Sequence, residues 1–294
     1  MYVELRHKYD AEPAYFRWRD APMARKARII AVVNQKGGVA KTTTVQHVGY
    51  CLAAEHAKRV LLLDLDPQAN LTSTFGIKPD SLDHSMFDVL KGEIPLAGII
   101  QSCGKEPIVD IAPANIELSR AELELVSEIN STFLLRSALT PALTDDAGPD
   151  AGPGAQPYDY IIADCGPNLG ILTVNALAAA DYVLVPIQPE MYALQGLKSL
   201  EKTVDKVRTR ANPNLTVLGW VITMHDGRTR VHRDVTEFFR KQFGTALFET
   251  IISVNTTIRE AQARKRTAFE QDSSKTGAKH YSALAAEILR RIGD

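Results

Sequence analysis

Six short apolar runs, set apart by helix-patterned stretches, constrain this chain more than any other feature. They are RIIAVVN (28–34), RVLLLDLD (59–66), IVDIAPA (108–114), YDYIIAD (158–164), YVLVPI (182–187) and LTVLGWVIT (215–223). A strand buried on both faces reads as a continuous apolar run, not as an alternation. Between the runs lie helical patterns. In the stretch from Lys41 to His56, Val45, Val48 and Leu52 recur three and four apart, and IELSRAELELV (116–126) has the same period. Strands alternating with helices imply βαβ units. The expected fold is α/β, a single doubly wound, mainly parallel sheet with helices on both faces. No internal repeat is visible. The closing stretch AKHYSALAAEILRRIG places Tyr281, Leu284, Ile288, Leu289 and Ile292 on one stripe. It is expected to dock on the core, since a membrane-surface helix would want a longer basic tail.

Composition bounds what this sheet can do. The chain has 294 residues, 45% hydrophobic and 23% charged, which suits one large globular domain. The formal net charge of -1 gives no global attraction to nucleic acid or anionic membrane, so any such binding needs a local patch. Cys51, Cys103 and Cys165 form no C-x-x-C pair. That fits a reducing compartment and argues against a disulfide scaffold or a cysteine-built zinc site. No apolar run approaches the roughly 18–20 residues of a membrane span. The first residues lack an apolar signal core. Residues 1–27 are expected to be an N-terminal extension of unclear role, the first 22 having no part in the chemistry, with Met23 a natural alternative start. Residues 28–294 are then the folded domain. Within it TDDAGPDAGPGAQP (144–157), rich in Gly, Pro, Ala and Asp, is expected to be an exposed loop.

The stretch NQKGGVAKTTT (34–44) joins the first strand to the first helix. It departs from the familiar phosphate-loop pattern, in which Gly, four residues and Gly-Lys precede Ser or Thr. With Lys41 as the pattern's lysine, Gln35 and Ala40 stand where glycines are asked for, and Lys36 is surplus. The physical requirements are nonetheless met. Backbone N–H groups at a helix start point outward and the helix dipole favours an anion. Gly37 and Gly38 let the backbone approach phosphate with no Cβ between, and Val39 and Ala40 complete the turn. Ala40 suits the position if its backbone keeps a negative φ, as is expected near a helix start. Lys41 faces the β- and γ-phosphates, Thr42 offers its hydroxyl to Mg²⁺, and Thr43 reaches the α-phosphate. Ligands of open α/β sheets bind at the carboxyl ends of the strands, and three aspartates lie there. Asp64 and Asp66 end one strand and Asp164 another. Asp164 is placed to hold Mg²⁺ through water. Asp66 is placed to orient the water that attacks the γ-phosphate, beside the same metal. Any one of them could equally cap the following turn.

Together, QKGGVAKTTT, RVLLLDLDPQAN, YDYIIADCGPNLG and VLVPIQPEMYALQGL resemble the ParA/Soj-type partition ATPases, with VITMHDGRT (221–229) extending the likeness. These belong to the deviant Walker A group that includes MinD and the nitrogenase iron protein. The resemblance runs from about residue 28 to the C-terminus. It implies a slow ATPase using ATP and Mg²⁺, in which ATP bridges two subunits of a homodimer. It implies that Lys36 is a catalytic residue reaching the ATP held by the other subunit, as an arginine finger does. Asp66 then carries the hydrolytic role and Asp164 the Mg²⁺ side. DCGPNLG stands where the family usually has Pro-Pro-Ser-Leu, and ISVNTTIREAQARKR (252–266) departs from its usual segment.

The resemblance further implies that the dimer binds double-stranded DNA without sequence preference, and that a ParB-type centromere-binding protein stimulates hydrolysis. The expected location is the cytoplasm, on the nucleoid, with no membrane partner. From Trp220 to Asp294 there are 13 Lys/Arg against 9 Asp/Glu. Arg228, Arg230, Arg233, Arg264, Lys265 and Arg266 are the candidates for DNA contact, weighed against a merely solvated face. Two alternatives share the loop: a MinD-like membrane-positioning ATPase, and a small-molecule ligase of the dethiobiotin synthetase kind. His225, His232 and His280 lack metal spacing, and Cys165 lacks the partners of an iron–sulfur ligand.

Overall fold

A computed structural model describes residues 27–103, 109–143, 158–191, 193–273 and 275–294. The 144–157 stretch and residues 1–26 of the expected extension lie outside these. Eight strands form one sheet: β1 Arg28–Val32, β2 Val60–Leu65, β3 Gln101–Cys103, β4 Val109–Ala112, β5 Tyr160–Cys165, β6 Tyr182–Ile187, β7 Thr216–His225 and β8 Leu247–Ser253. Their order is β3-β4-β2-β5-β1-β6-β7-β8. All neighbours are parallel except β3 and β4. The six apolar runs are therefore strands of a doubly wound sheet, as expected. Two further strands were not legible: β3 spans three residues, and β8 is an edge strand with a mixed burial pattern.

The helices are α1 Lys41–His56, α2 Asn70–Thr74, α3 Met86–Lys91, α4 Ala121–Glu124, α5 Leu134–Leu143, α6 Ile171–Ala179, α7 Ala193–Arg210, α8 Arg230–Phe243, α9 Thr256–Ala263, α10 Ala268–Asp272 and α11 Thr276–Ile292. The expected helix over 116–126 is broken. A 3-10 turn (Ile116–Arg120) leads into one turn of α4 and a second 3-10 turn (Leu125–Ser127). Its apolar period is matched by burial at Leu118, Ala121 and Leu125, while Ile116, Leu123 and Val126 stay exposed.

Strand side chains alternate between two cores. Ile29, Ala31, Leu61 and Leu63 pack with α3, α5, α6 and α7 on one face. Ile30, Val32, Val60 and Leu62 pack with α1 and α11 on the other. The closing helix docks as its stripe predicted: Tyr281, Leu284, Ile288 and Leu289 are buried there. Parallel pairing then sets the chemistry in line. Asp164, on central β5, pairs with Val32 of β1 on one side and Asp64 of β2 on the other. The loop after β1 and the aspartates of β2 and β5 thus meet at the carboxyl ends of these central strands.

Candidate nucleotide-binding site

The loop from Asn34 to Ala40 is tied to the strands beside it. Buried Asn34 donates through Nδ2 to the Pro186 carbonyl at 2.7 Å and accepts from the Lys36 N–H at 2.9 Å. The Thr223 hydroxyl of β7 donates to the Val39 carbonyl at 3.0 Å. Gln188, just past β6, donates to the Gly38 carbonyl at 2.8 Å. Gly38 takes φ +73, and a Cβ on Gly37 or Gly38 would meet nothing within 4 Å. The space in front of these glycines is open. Ala40 corrects an expectation: its φ is 62, in the left-handed region, instead of negative. That conformation costs a non-glycine residue about 1–2 kcal/mol, and it lets α1 begin directly at Lys41. No side chain caps α1 and no acidic residue lies in its first turn. Its positive end is therefore left for an anion.

The two lysines diverge. Lys41 is buried, 7% exposed, and its Nζ donates to the Lys36 carbonyl at 3.2 Å. Burial lowers its pKa, opposed by the nearby carboxylates of Asp164 and Asp66. Lys36 instead extends to the β6 side. Its Nζ lies 3.0 Å from Gln188 Oε1 and 2.5 Å from Glu190 Oε2.

The three aspartates, equivalent as strand-end residues in the sequence, differ sharply in surroundings. Asp64 is fully satisfied. Its Oδ2 accepts from the Thr72 N–H at 2.8 Å and hydroxyl at 2.7 Å, and its Oδ1 from the Asp66 N–H at 3.1 Å. Burial pushes its carboxyl up to about 6 against these donors. Asp64 therefore builds the β2 turn. Asp66 accepts from the Gln68 N–H at 2.9 Å through Oδ1. Asp164 is completely buried, and neither oxygen has a hydrogen-bond partner. Burial, and then the negative charge of Asp64, hold its carboxyl well above the usual range. The Thr42 hydroxyl and Lys41 ammonium favour its ionised form, but neither satisfies it. A buried carboxylate without a donor is costly unless a cation completes it.

Two other residues escaped sequence reasoning. Buried His47 accepts through Nε2 from the Ala268 N–H at 2.9 Å, while Nδ1 meets the Thr43 carbonyl at 2.8 Å. Burial lowers its pKa to about 4, so it is neutral and bridges the first turn of α1 to α10. Glu190 was part of a recognised stretch, but nothing local marked it as a partner of Lys36, 154 positions away.

These features fit a nucleoside triphosphate with Mg²⁺. There is an open glycine cradle, an uncapped helix start, a buried lysine and an orphaned carboxylate beside Thr42. Mg²⁺ keeps several waters and takes few protein ligands. Among the described residues no group of three or more His, Cys, Asp or Glu could hold a metal by itself.

The expected DNA-contact residues fall in two places. Arg228, Arg230 and Arg233 surround the turn between β7 and α8. Arg228 clamps Asp226 at 2.9 and 2.8 Å. Arg230 lies 3.5 Å from Asp234. Arg233 donates to the Gly227 and Arg228 carbonyls. Arg264, Lys265 and Arg266 are exposed between α9 and α10, where Arg264 donates to neutral Gln271 at 3.1 Å. His232 accepts from the Asp226 N–H and His280 from the Ser253 N–H, both structural roles. All three cysteines are buried and free.

A family model described as an AAA domain matches residues 27–217. The chain is 39% identical over 268 residues to the chromosome partitioning protein ParA of Myxococcus xanthus, covering 91% of this chain and 90% of that one. It is 40% identical over 261 residues to the sporulation initiation inhibitor protein Soj of Bacillus subtilis, covering 89% and 98%. It belongs to the ParA/Soj family of partition ATPases. Like the rest of that family it is an ATP-hydrolysing P-loop enzyme. Among solved structures, one named cobyrinic acid a,c-diamide synthase from Mycobacterium smegmatis, with bound ADP and magnesium, superposes with a TM-score of 0.75 at 34% identity, over 91% of this chain and 96% of that one. A putative plasmid partition protein of Borrelia burgdorferi, bound to AMPPNP, shares the fold with a TM-score of 0.70 at 24% identity, over 91% and 98%.

Proposed function

We propose that this protein is an ATP-gated DNA segregation switch. Its cofactors are ATP and Mg²⁺. In our reading Gly37, Gly38, Val39 and Ala40 wrap the phosphates with backbone N–H groups, Lys41 neutralises the β- and γ-phosphates, and Thr43 binds the α-phosphate. Mg²⁺ supplies charge neutralisation between the phosphates. Thr42 and Asp164 hold its side of the site, with Asp66 next to it. Asp66 orients the attacking water. Lys36 crosses to the ATP of a second subunit, so that bound ATP joins a homodimer. That dimer binds DNA without sequence preference, and hydrolysis stimulated by a ParB-type centromere-binding partner resets it. The nucleoid within the cytoplasm is its place of action. Among the described residues no helix is long and apolar enough to cross a membrane.

The observation that carries this reading is the division of labour between two lysines of one loop. Lys41 is buried against Asp164, whereas Lys36 is 41% exposed at the loop's other side. A phosphate site needs one lysine, and the second stands where a neighbouring molecule could meet it. For DNA, the segment Arg264–Lys265–Arg266 carries more uncommitted charge than the Arg228–Arg233 turn, where Asp226 and Asp234 answer two of the arginines. Dimerisation doubles such a weak patch and raises affinity through effective concentration.

The deciding experiment is duplex DNA binding with ATP, ADP or no nucleotide across a salt series. Binding that requires ATP and weakens steeply with salt is expected. Affinity indifferent to nucleotide refutes the switch. Turnover that needs a small-molecule acid and ignores DNA supports the ligase alternative. Recruitment to anionic liposomes supports the MinD-like one.

A further inference from the structure

We propose that Glu190 and Gln188 form a latch that holds Lys36 within its own chain and must release it before two subunits can join through ATP. The proposal rests on the reading that Lys36 acts across the dimer, and it adds the state from which that lysine starts. Glu190 and Gln188 follow β6, the neighbour of β1 on the side away from Asp164. The Lys36 ammonium meets the carboxylate at 2.5 Å and the amide oxygen at 3.0 Å. Gln188 uses its other end: its Nε2 donates to the Gly38 carbonyl at 2.8 Å. The Glu190 N–H donates to the Gln188 carbonyl at 2.8 Å, so one tight turn sets both groups. On the opposite side, Asn34 accepts from the Lys36 N–H at 2.9 Å and fixes where the side chain leaves the loop.

The chemistry of the exchange follows. In the single chain a carboxylate and an amide oxygen satisfy the ammonium. In the dimer the γ-phosphate oxygens of the other subunit's ATP replace them as acceptors, with more negative charge. The Glu190 carboxylate is then left to solvent, which costs little because its side chain is already 46% exposed. Glu190 and Gln188 are thus positioning residues. They keep Lys36 pre-extended at the surface, and they set a threshold against pairing without ATP. Exposed ion pairs shift an equilibrium by about 0.2–1 kcal/mol, roughly threefold near the middle of that range. Two latches open per dimer, so the effect on the dimer's dissociation constant is about ninefold.

The test is Glu190→Gln, which keeps the shape of the side chain and removes the charge. Self-association with MgATP is measured by sedimentation velocity, and ATP turnover is followed against protein concentration. Association about ninefold weaker than in the parent is the opposite of what we expect. The latch predicts association tightened by that factor, with half-maximal turnover reached at correspondingly lower protein concentration. Glu190→Asp should restore the parent value in part. In a Lys36→Ala background, Glu190→Gln should change neither quantity, an outcome that a purely structural Glu190 would not give. Association unchanged or weakened in Glu190→Gln overturns the latch. Normal dimerisation and turnover in Lys36→Ala alone overturns the underlying trans-acting role instead, so the two failures are distinguishable. Thermal melting of each variant confirms that it is folded.

Discussion

Asp164 is the residue on which structure and function should conflict most measurably. Its two oxygens are buried with no hydrogen-bond partner, and leaving a buried polar group unmet costs about 1–3 kcal/mol, more when it is charged. Asp164→Asn removes the charge and keeps the shape. Part of the gain is offset, because buried Lys41 loses an opposing charge and retains Asp66 and the Lys36 carbonyl. The expected net effect is stabilisation of the nucleotide-free protein by about 1–2 kcal/mol, which is about 2–4 °C in melting temperature per kcal/mol for a domain of this size. The pH dependence has a defined sign. The folded-state pKa of Asp164 is raised, so between the unfolded value and the folded value the native state holds the extra proton. Native-state stability from this residue therefore falls as pH rises through that window, and the full penalty stands above it. Asp64, pushed up to about 6, contributes a slope of the same sign between about 4 and 6. Urea unfolding of parent and variant at pH 5.5 and 7.5 without nucleotide should show the larger gain for Asp164→Asn at the higher pH. Saturating MgATP should stabilise the parent by about 2.7 kcal/mol at a hundredfold excess over its dissociation constant, and the variant by much less. A variant less stable than the parent without nucleotide, or stabilised by MgATP as strongly, refutes the assignment of Asp164 as the orphaned metal-side carboxylate.

Further outcomes follow from the same geometry. Asp66→Ala should bind ATP but lose turnover by about 10²-fold or more, read by nucleotide binding beside phosphate release; ordinary turnover removes Asp66 from the water-orienting role. Lys41→Ala should lose ATP binding while melting as a folded protein, and retained tight binding would defeat the loop assignment. Thr72→Val deletes the 2.7 Å bond to Asp64 and orphans the Ala114 N–H that its hydroxyl accepts at 2.9 Å. Denaturant unfolding should register a loss of about 2–4 kcal/mol, and a neutral result would mean that Asp64 is not held as described. Ala40→Gly relieves a left-handed alanine, and the melting temperature should rise by the equivalent of up to about 1 kcal/mol; a fall would argue that φ +62 is not occupied in solution.

Much of the site was legible because its signals are local. Gly37, Gly38, Lys41 and Thr42 lie within six residues, after an apolar run and before a helical period, and the structure assembles them as that order implies. The strand-end position of Asp164 and Asp66 was equally visible. What failed were inferences about how a local segment meets the rest. The 116–126 period promised a continuous α-helix; its inward face of Leu118, Ala121 and Leu125 is buried, yet the backbone takes 3-10 turns on both sides of a single α turn. Ala40 suited the loop on condition of a negative φ, as near a helix start, but the entry into α1 takes a left-handed turn there. Edge strand β8 lacks the unbroken apolar run of a central strand, because half of its surroundings are solvent.

The sequence by itself determined the parallel sheet, the anion-binding helix start and the presence of two lysines in one loop. Each depends on residues a few positions apart, whose spacing fixes their geometry. Only the tertiary structure decided which carboxylate is satisfied and which is orphaned, and which lysine is buried and which is held at the surface. Those distinctions come from parallel pairing and crossovers. Pairing sets Asp164 against Asp64, a hundred positions earlier, and β6 brings Glu190 to Lys36. A side chain's charge and access to water depend on such distant neighbours, and no local pattern carries them.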